Sequence, residues 1–184
     1  MAQKIILTIV ACMVAMVGYA KDPQRGYRGF VDWENTLGYM NTTNDVDGYH
    51  RGYEWLSGVT TSHGYQFNSH IFLGAGTGIV PALSAAYVMF PVFVDFRYDY
   101  SHRKFRPFGD VRIGYNISDG FYMSPTIGYR LNWGRKMNVN FGVGMTLLGM
   151  TDEISTHSSD VYHPSSKKRR YAETFFTLRI GIDF

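Results

Sequence analysis

The stretch YAETFFTLRIGIDF, residues 171–184, decides how the rest of the sequence is read. It alternates to its last residue. Thr174, Phe176, Leu178, Ile180, Ile182 and Phe184 point one way, and Glu173, Phe175, Thr177, Arg179, Gly181 and Asp183 the other. One face is apolar and the other mostly polar. A closing strand of this kind is expected beside a partner, because an open edge leaves backbone groups unpaired. The first strand is the simplest partner, and that pairing closes a barrel.

Upstream the same two-residue period recurs. Gly26 to Tyr39 sets Gly29, Val31, Trp33, Leu37 and Tyr39 against Arg28, Asp32, Glu34 and Thr36, with Asn35 an exception on the apolar side. Gly52 to Phe67 sets Tyr53, Trp55, Val59, Tyr65 and Phe67 against Glu54, Gly58, Thr60, Ser62 and Gln66; Thr61 and His63 fall on the apolar side, where a bulge is expected. Five more strands run through Ile71–Ile79, Val92–Tyr100, Asp110–Ile117, Met123–Trp133 and Met137–Leu147, giving eight in all. Asn41–Gly48, Val80–Tyr87 and Thr151–Lys168 read as the longer connections, while Asn68-Ser69, Ser101–Lys104, Ser118-Asp119-Gly120 and Gly134-Arg135 read as tight turns.

Composition agrees with strands. Of 184 residues, 14 are tyrosine, 13 phenylalanine and 20 glycine, and a charged fraction of 18% argues against disorder. The net charge of +3 is too small to suggest nucleic acid. Residues 1–20 differ from the rest: Lys4, an apolar run from Ile5 to Val17, and Gly18-Tyr19-Ala20 as small residues before a cleavage point make a secretory signal peptide, leaving residues 21–184 as the barrel domain. Ile9-Val10-Ala11-Cys12 also fits a lipoprotein processing box, but the apolar run continues past Cys12 where a lipidated chain would turn polar. Cleavage after Ala20 removes the only cysteine, so neither disulfides nor a thiol nucleophile is expected.

Alternation does not say which face is inside, and that choice separates a soluble ligand-binding barrel from a membrane barrel. Three features favour apolar-out. Aromatics collect near strand ends, Tyr39 and Tyr53 at one end and Phe67, Tyr98, Tyr100, Tyr129, Trp133 and Phe184 at the other, as in the double belt of a membrane barrel. Glycines 74, 76, 78, 114, 128, 142, 144 and 181 sit on the polar face, where an eight-stranded interior needs small neighbours for its arginines. That face also mixes signs: Arg28, Arg97, Arg112, Arg130 and Arg179 with Asp32, Glu34, Glu54, Asp95, Asp99, Asp110, Glu173 and Asp183, which can pair in a closed lumen. The expected fold is an all-β, eight-stranded antiparallel up-and-down transmembrane barrel with an ion-pair network in its lumen. Both termini are expected on the periplasmic side and the longer loops outside.

The segments Gly26-Tyr27-Arg28-Gly29-Phe30-Val31, Ser62 to Asn68, Pro91-Val92-Phe93-Val94-Asp95-Phe96-Arg97 and the terminal Phe184 resemble those of the small outer-membrane β-barrel (porin-like) proteins of Bacteroides and relatives, over nearly all of residues 21–184. The resemblance implies a Gram-negative outer membrane and folding by its assembly machinery, with Phe184 as the recognition signal. It implies little about activity.

Candidate sites are few. Thr43, Asp45, Asp47, Gly48 and Glu54 have the spacing of part of a calcium loop, but Thr stands at the first ligand position and strands flank it, so a hairpin is preferred and no metal or other cofactor is expected. Lys167, Lys168, Arg169 and Arg170 read either as cations for lipopolysaccharide phosphates or as a solvated run. His157, Ser159, Asp160 and His163 supply the residue types of an acyl hydrolase without an oxyanion motif, and no enzyme is expected. His63 reads as an interfacial histidine. The functional expectation is a monomeric barrel with a filled lumen that acts through its outer loops, in contact with outer-membrane lipid and lipopolysaccharide. A narrow channel is the alternative, and a lipid A-modifying enzyme a more distant one.

Overall fold

A computed structural model describes residues 25–44, 48–84, 87–100, 105–118, 120–133, 137–155 and 166–184. Among these, extended backbone forms β1 (Gly26–Asn44), β2 (Gly48–Gln66), β3 (Ile71–Pro81), β4 (Val88–Met89), β5 (Pro91–Asp99), β6 (Phe105–Asn116), β7 (Gly120–Trp133), β8 (Met137–Ser155) and β9 (Ser166–Asp183). All pairings are antiparallel, and the sheet closes because β1 pairs with both β2 and β9 while β2 pairs with β3. Apart from the two-residue β4, eight strands make the barrel, as the alternation implied. Reciprocal backbone bonds between Gly29 and Phe184, each 3.0 Å, continue the closing seam.

The stagger of the barrel follows from the register. From Thr36 the ladder leads through Thr177, Gly144, Thr126, Asp110, Arg97, Phe72 and Gln66 back to Gly26, ten residues earlier on β1. Every residue on that circuit is on the inner face. Eight strands so arranged leave an interior just wide enough for side chains.

Local chemistry sets the turns and absorbs one irregularity. The Asn68 carboxamide accepts from the backbone N–H groups of His70 and Ile71, each at 2.8 Å, which fixes the tight turn between β2 and β3. Pro125 in β7 has no N–H to offer β8. The neighbouring Ser124 hydroxyl reaches toward β8 instead, 3.3 Å from the Met145 carbonyl and 2.9 Å from the Thr146 hydroxyl.

Two elements run further than sequence suggested. The β1–β2 ladder extends to Asn44↔Gly48 and the β8–β9 ladder to Ser155↔Ser166, so much of Asn41–Gly48 and Thr151–Lys168 is strand. Beyond Gly38↔Phe175 and Tyr122↔Leu148 these strands have lost their other neighbours, and the two hairpins project past the barrel as ribbons. Backbone pairing within a hairpin outweighs the loop-like preference of Asn and Thr there. The expected bulge near His63 is absent: β1 and β2 pair without interruption, Gly29 opposite His63 and Val31 opposite Thr61.

Candidate functional site

Inside the barrel the charged side chains converge. Arg112, fully buried, lies against four carboxylates: it donates to Asp32 and stands 3.5 Å from Glu34, 3.4 Å from Asp95 and 3.6 Å from Asp110. Arg179 donates to Glu34 at 3.1 Å, to Asp110 at 2.9 Å and to the Ser124 hydroxyl. Arg97 donates to Asp110 at 3.2 Å. Toward the end that holds both Gly26 and Phe184, Arg28 and Arg130 share Asp99 and Asp183. Arg130 reaches Asp99 at 2.6 Å, Arg28 reaches Asp183, and Asn138 and Asn140 donate to the Asp183 carboxylate at 3.0 and 2.9 Å.

Five guanidiniums thus meet six carboxylates in two ion-pair clusters, Arg97, Arg112 and Arg179 with four carboxylates and Arg28 and Arg130 with two, and the Phe30 ring between Arg28 and Arg97 joins them. Each ion has given up water, and that loss is offset only where partners surround it, so the arrangement is costly to disturb more than it is stabilising in itself.

Several glycines of the inner face make room for rings, while Gly181 makes room for the Asp32 carboxylate and Gly114 and Gly144 lie against neighbouring backbone. A Cβ at Gly128 would stand 2.6 Å from the Phe108 ring, one at Gly76 2.6 Å from Phe93, and one at Gly38 would collide with Phe175. The rings then hold the cations. Arg97 is sandwiched between Phe30 and Phe108, its guanidinium carbon 4.0 and 4.3 Å from their centroids, and Arg112 lies 4.9 Å from Phe93. Cation–π contact in a dry interior satisfies guanidinium faces that hydrogen bonds do not reach.

Toward the opposite end the lumen changes character. A belt of hydroxyls, Ser124, Thr146, Thr177 and Thr36, is followed by an apolar layer of Leu56, Val80, Met89, Phe93, Tyr122, Leu148 and Phe175, none more than 2% exposed. Part of this layer comes from the β3–β5 connection, which folds back over the opening instead of merely linking two strands. Val80 pairs with Met89, Ala82 bridges to Leu56, and the Leu83 N–H donates to the Trp55 carbonyl at 2.8 Å. Asn116 ties the segment down, accepting from the Phe90 N–H at 2.8 Å and donating to the Tyr87 hydroxyl at 3.0 Å. Sequence reasoning missed this cap; the signal available was the apolar run Val88-Met89-Phe90, left between the connection Val80–Tyr87 and the strand that starts at Val92.

Of the thirteen charged residues expected in the lumen, eleven join one or the other ion-pair cluster and two lie beyond them. Glu54 is buried at the capped end and accepts from the Ser84 hydroxyl. Glu173 is buried on β9 one pleat past Phe175. The gap lined by Asp32, Arg97, Asp110, Asn140 and Arg179 among others is too small to hold a water molecule.

The outer face is apolar with aromatic belts, Tyr39 and Tyr53 at one end and Tyr65, Phe67, Tyr98, Tyr100, Tyr129 and Trp133 at the other, each substantially exposed. Phe184 departs from the expected belt. It is 6% exposed, its ring filling the slot left by Gly29 and meeting His63 edge-on. His63 lies on the outer face between the Tyr27 hydroxyl at 2.6 Å and the Thr61 hydroxyl at 2.9 Å. Those bonds are why Thr61 and His63 tolerate an apolar face without a bulge.

Other sequence candidates fall elsewhere. Lys167–Arg170 lie within β9 in the projecting ribbon, in register with Ile154, Glu153, Asp152 and Thr151. Asp45, Asp47, His157, Ser159, Asp160, His163, Cys12 and the whole of residues 1–20 are outside the described residues. Among the described residues no group of three or more His, Cys, Asp or Glu is placed to hold a metal ion.

No protein-family model matches the chain, and no curated protein matches it. Among solved structures, the outer membrane protein OprG from Pseudomonas aeruginosa is similar at 11% identity and a TM-score of 0.47, over 87% of this chain and 95% of that one.

Proposed function

We propose that the protein is an integral outer-membrane barrel of a Gram-negative cell that does not conduct, and that it acts as a structural or surface-interaction protein through its outer hairpins. The observation that carries this reading is the doubly filled lumen: ion-pair clusters behind an apolar layer, with the gap among Asp32, Arg97, Asp110, Asn140 and Arg179 too small for a water molecule. The apolar outer face with its two belts supports membrane placement, since a polar exterior is what water requires. The likeness of the quoted segments to the small outer-membrane barrels of Bacteroides supports the compartment.

In this orientation the end holding Gly26 and Phe184 faces the periplasm, and the β1–β2 and β8–β9 ribbons stand outside the cell. Lys167–Arg170 then lie on an outward ribbon, where cations can meet lipopolysaccharide phosphates. Phe184 serves as the assembly signal. Residues 1–20 are the export signal, and no cofactor or catalytic group takes part.

The test is conductance across a planar bilayer by folded, heat-modifiable protein. Silence is the expected result. Steady steps whose ion selectivity changes in Arg97→Ala would replace this reading with that of a narrow channel.

A further inference from the structure

The outer face is not uniform. Between the belts, the outward positions of β5 to β9 carry apolar residues and tyrosine, apart from Thr174 beside the upper belt. The polar outward side chains gather on three adjacent strands: Asn35 on β1, Ser57, Thr61 and His63 on β2, and Thr77 on β3. Thr61 and His63 are satisfied by each other, by Tyr27 and by the Phe30 carbonyl, to which Thr61 donates at 2.9 Å.

Asn35 is different. Its carboxamide oxygen accepts from the Ser57 hydroxyl at 2.9 Å, and that hydroxyl accepts from the Trp33 indole N–H at 3.0 Å. The amide nitrogen has no partner among the described residues. Asn35 lies between Tyr27 and Tyr39, and its partner position Ser57 between Tyr53 and Tyr65, so the unmet donor faces the hydrocarbon zone, where nothing in lipid tails can accept a hydrogen bond.

We propose that this sector of β1 and β2 is the contact face between two copies of the chain, related by a twofold axis beside Asn35. A carboxamide is self-complementary: each amide N–H donates to the other copy's carboxamide oxygen, which keeps one lone pair after accepting from Ser57. An axis through one residue meets the requirement that a twofold interface use the same patch on both partners. Trp33 and Trp55, each about half exposed beside Asn35, supply flat apolar area around the pair. Polar pairing of this kind associates membrane segments when apolar surface alone gives no drive. The assembly replaces the monomer expected from sequence, and it rests on the membrane placement proposed above.

The experiment expresses the full chain and oxidises thiols in isolated outer membranes. Val59→Cys places a thiol beside Asn35, and Ile127→Cys places one on the opposite, apolar face; heat-modifiable migration of each variant reports separately that the barrel is folded in the membrane. A crosslinked dimer is expected for Val59→Cys and none for Ile127→Cys. Adding Asn35→Leu to Val59→Cys is expected to weaken dimerisation about tenfold, read as the dissociation constant in micelles. Folded Val59→Cys protein that stays monomeric, equal crosslinking from both faces, or a dimer indifferent to Asn35→Leu would each overturn the proposal. Absence of folded protein from the membrane fraction would instead defeat the placement on which it rests, and the proposal with it.

Discussion

The two halves of the lumen are filled by opposite means. Near Arg112 the space is occupied by ions that hold each other, and near Leu148 by apolar side chains that need no specific partner. The difference lies in what a single deletion leaves behind. A lost guanidinium leaves carboxylates stranded in a dry interior, and a lost isobutyl group leaves a void that its neighbours partly close. The ionic half is therefore expected to hold to one arrangement, and the apolar half to tolerate repacking.

The largest effect is expected at Arg112. Arg112→Ala removes the partner of Asp32 and the shared neighbour of Glu34, Asp95 and Asp110, and a loss of about 5 kcal/mol is expected, at the upper end for a broken buried pair. The denaturant midpoint of refolded barrel measures it. Adding Asp32→Asn is expected to recover part of the loss, because it removes one of the stranded charges.

A smaller cost is expected in the cap. Leu148 is 1% exposed on the inner face of β8 among Tyr122, Phe175 and their neighbours, and Leu148→Ala should cost about 3 kcal/mol by the same measurement. Because the two fillings lie in series, neither Arg112→Ala nor Leu148→Ala alone should open a conducting path. If Leu148→Ala proves the costlier of the two, the ionic half is not the demanding one, and the contrast between the halves fails.

The period of two was enough to read the barrel, because burying one face of a strand forces alternation on every pair of residues. It placed Arg97, Arg112 and Arg179 on one face with Asp32, Glu34 and Asp110. It could not say which of them meet, since Arg112 on β6 reaches Asp32 on β1 only through the closure and stagger of the whole sheet. Nor could it find the cap. Val80 and Leu56 share the inner face with charged residues, and only the fold-back of Val88-Met89 makes a continuous apolar layer of them. Ribbon length was hidden for another reason: Asn41 to Asn44 have loop-like side chains, but β2 supplies partners for their backbone.

The smallest effect is expected where the halves meet in chemistry but not in place. Glu54 and Asp110 are both buried acids on the inner face, yet Asp110 lies against three arginines, Arg97, Arg112 and Arg179, while Glu54 accepts from Ser84 at the capped end. Glu54→Gln keeps an oxygen for the Ser84 hydroxyl and strands no arginine among the described residues, so the expected loss is under about 1 kcal/mol, the scale of one hydrogen bond weakened by removing a charge. Asp110→Asn changes the same atoms in the other half and leaves three cations sharing fewer carboxylates, for which several kcal/mol is expected. The two variants differ from wild type by one amide each, so unequal midpoints would report the surroundings rather than the substitution. Equal midpoints would mean that the arginine cluster redistributes its bonds as freely as the apolar cap repacks.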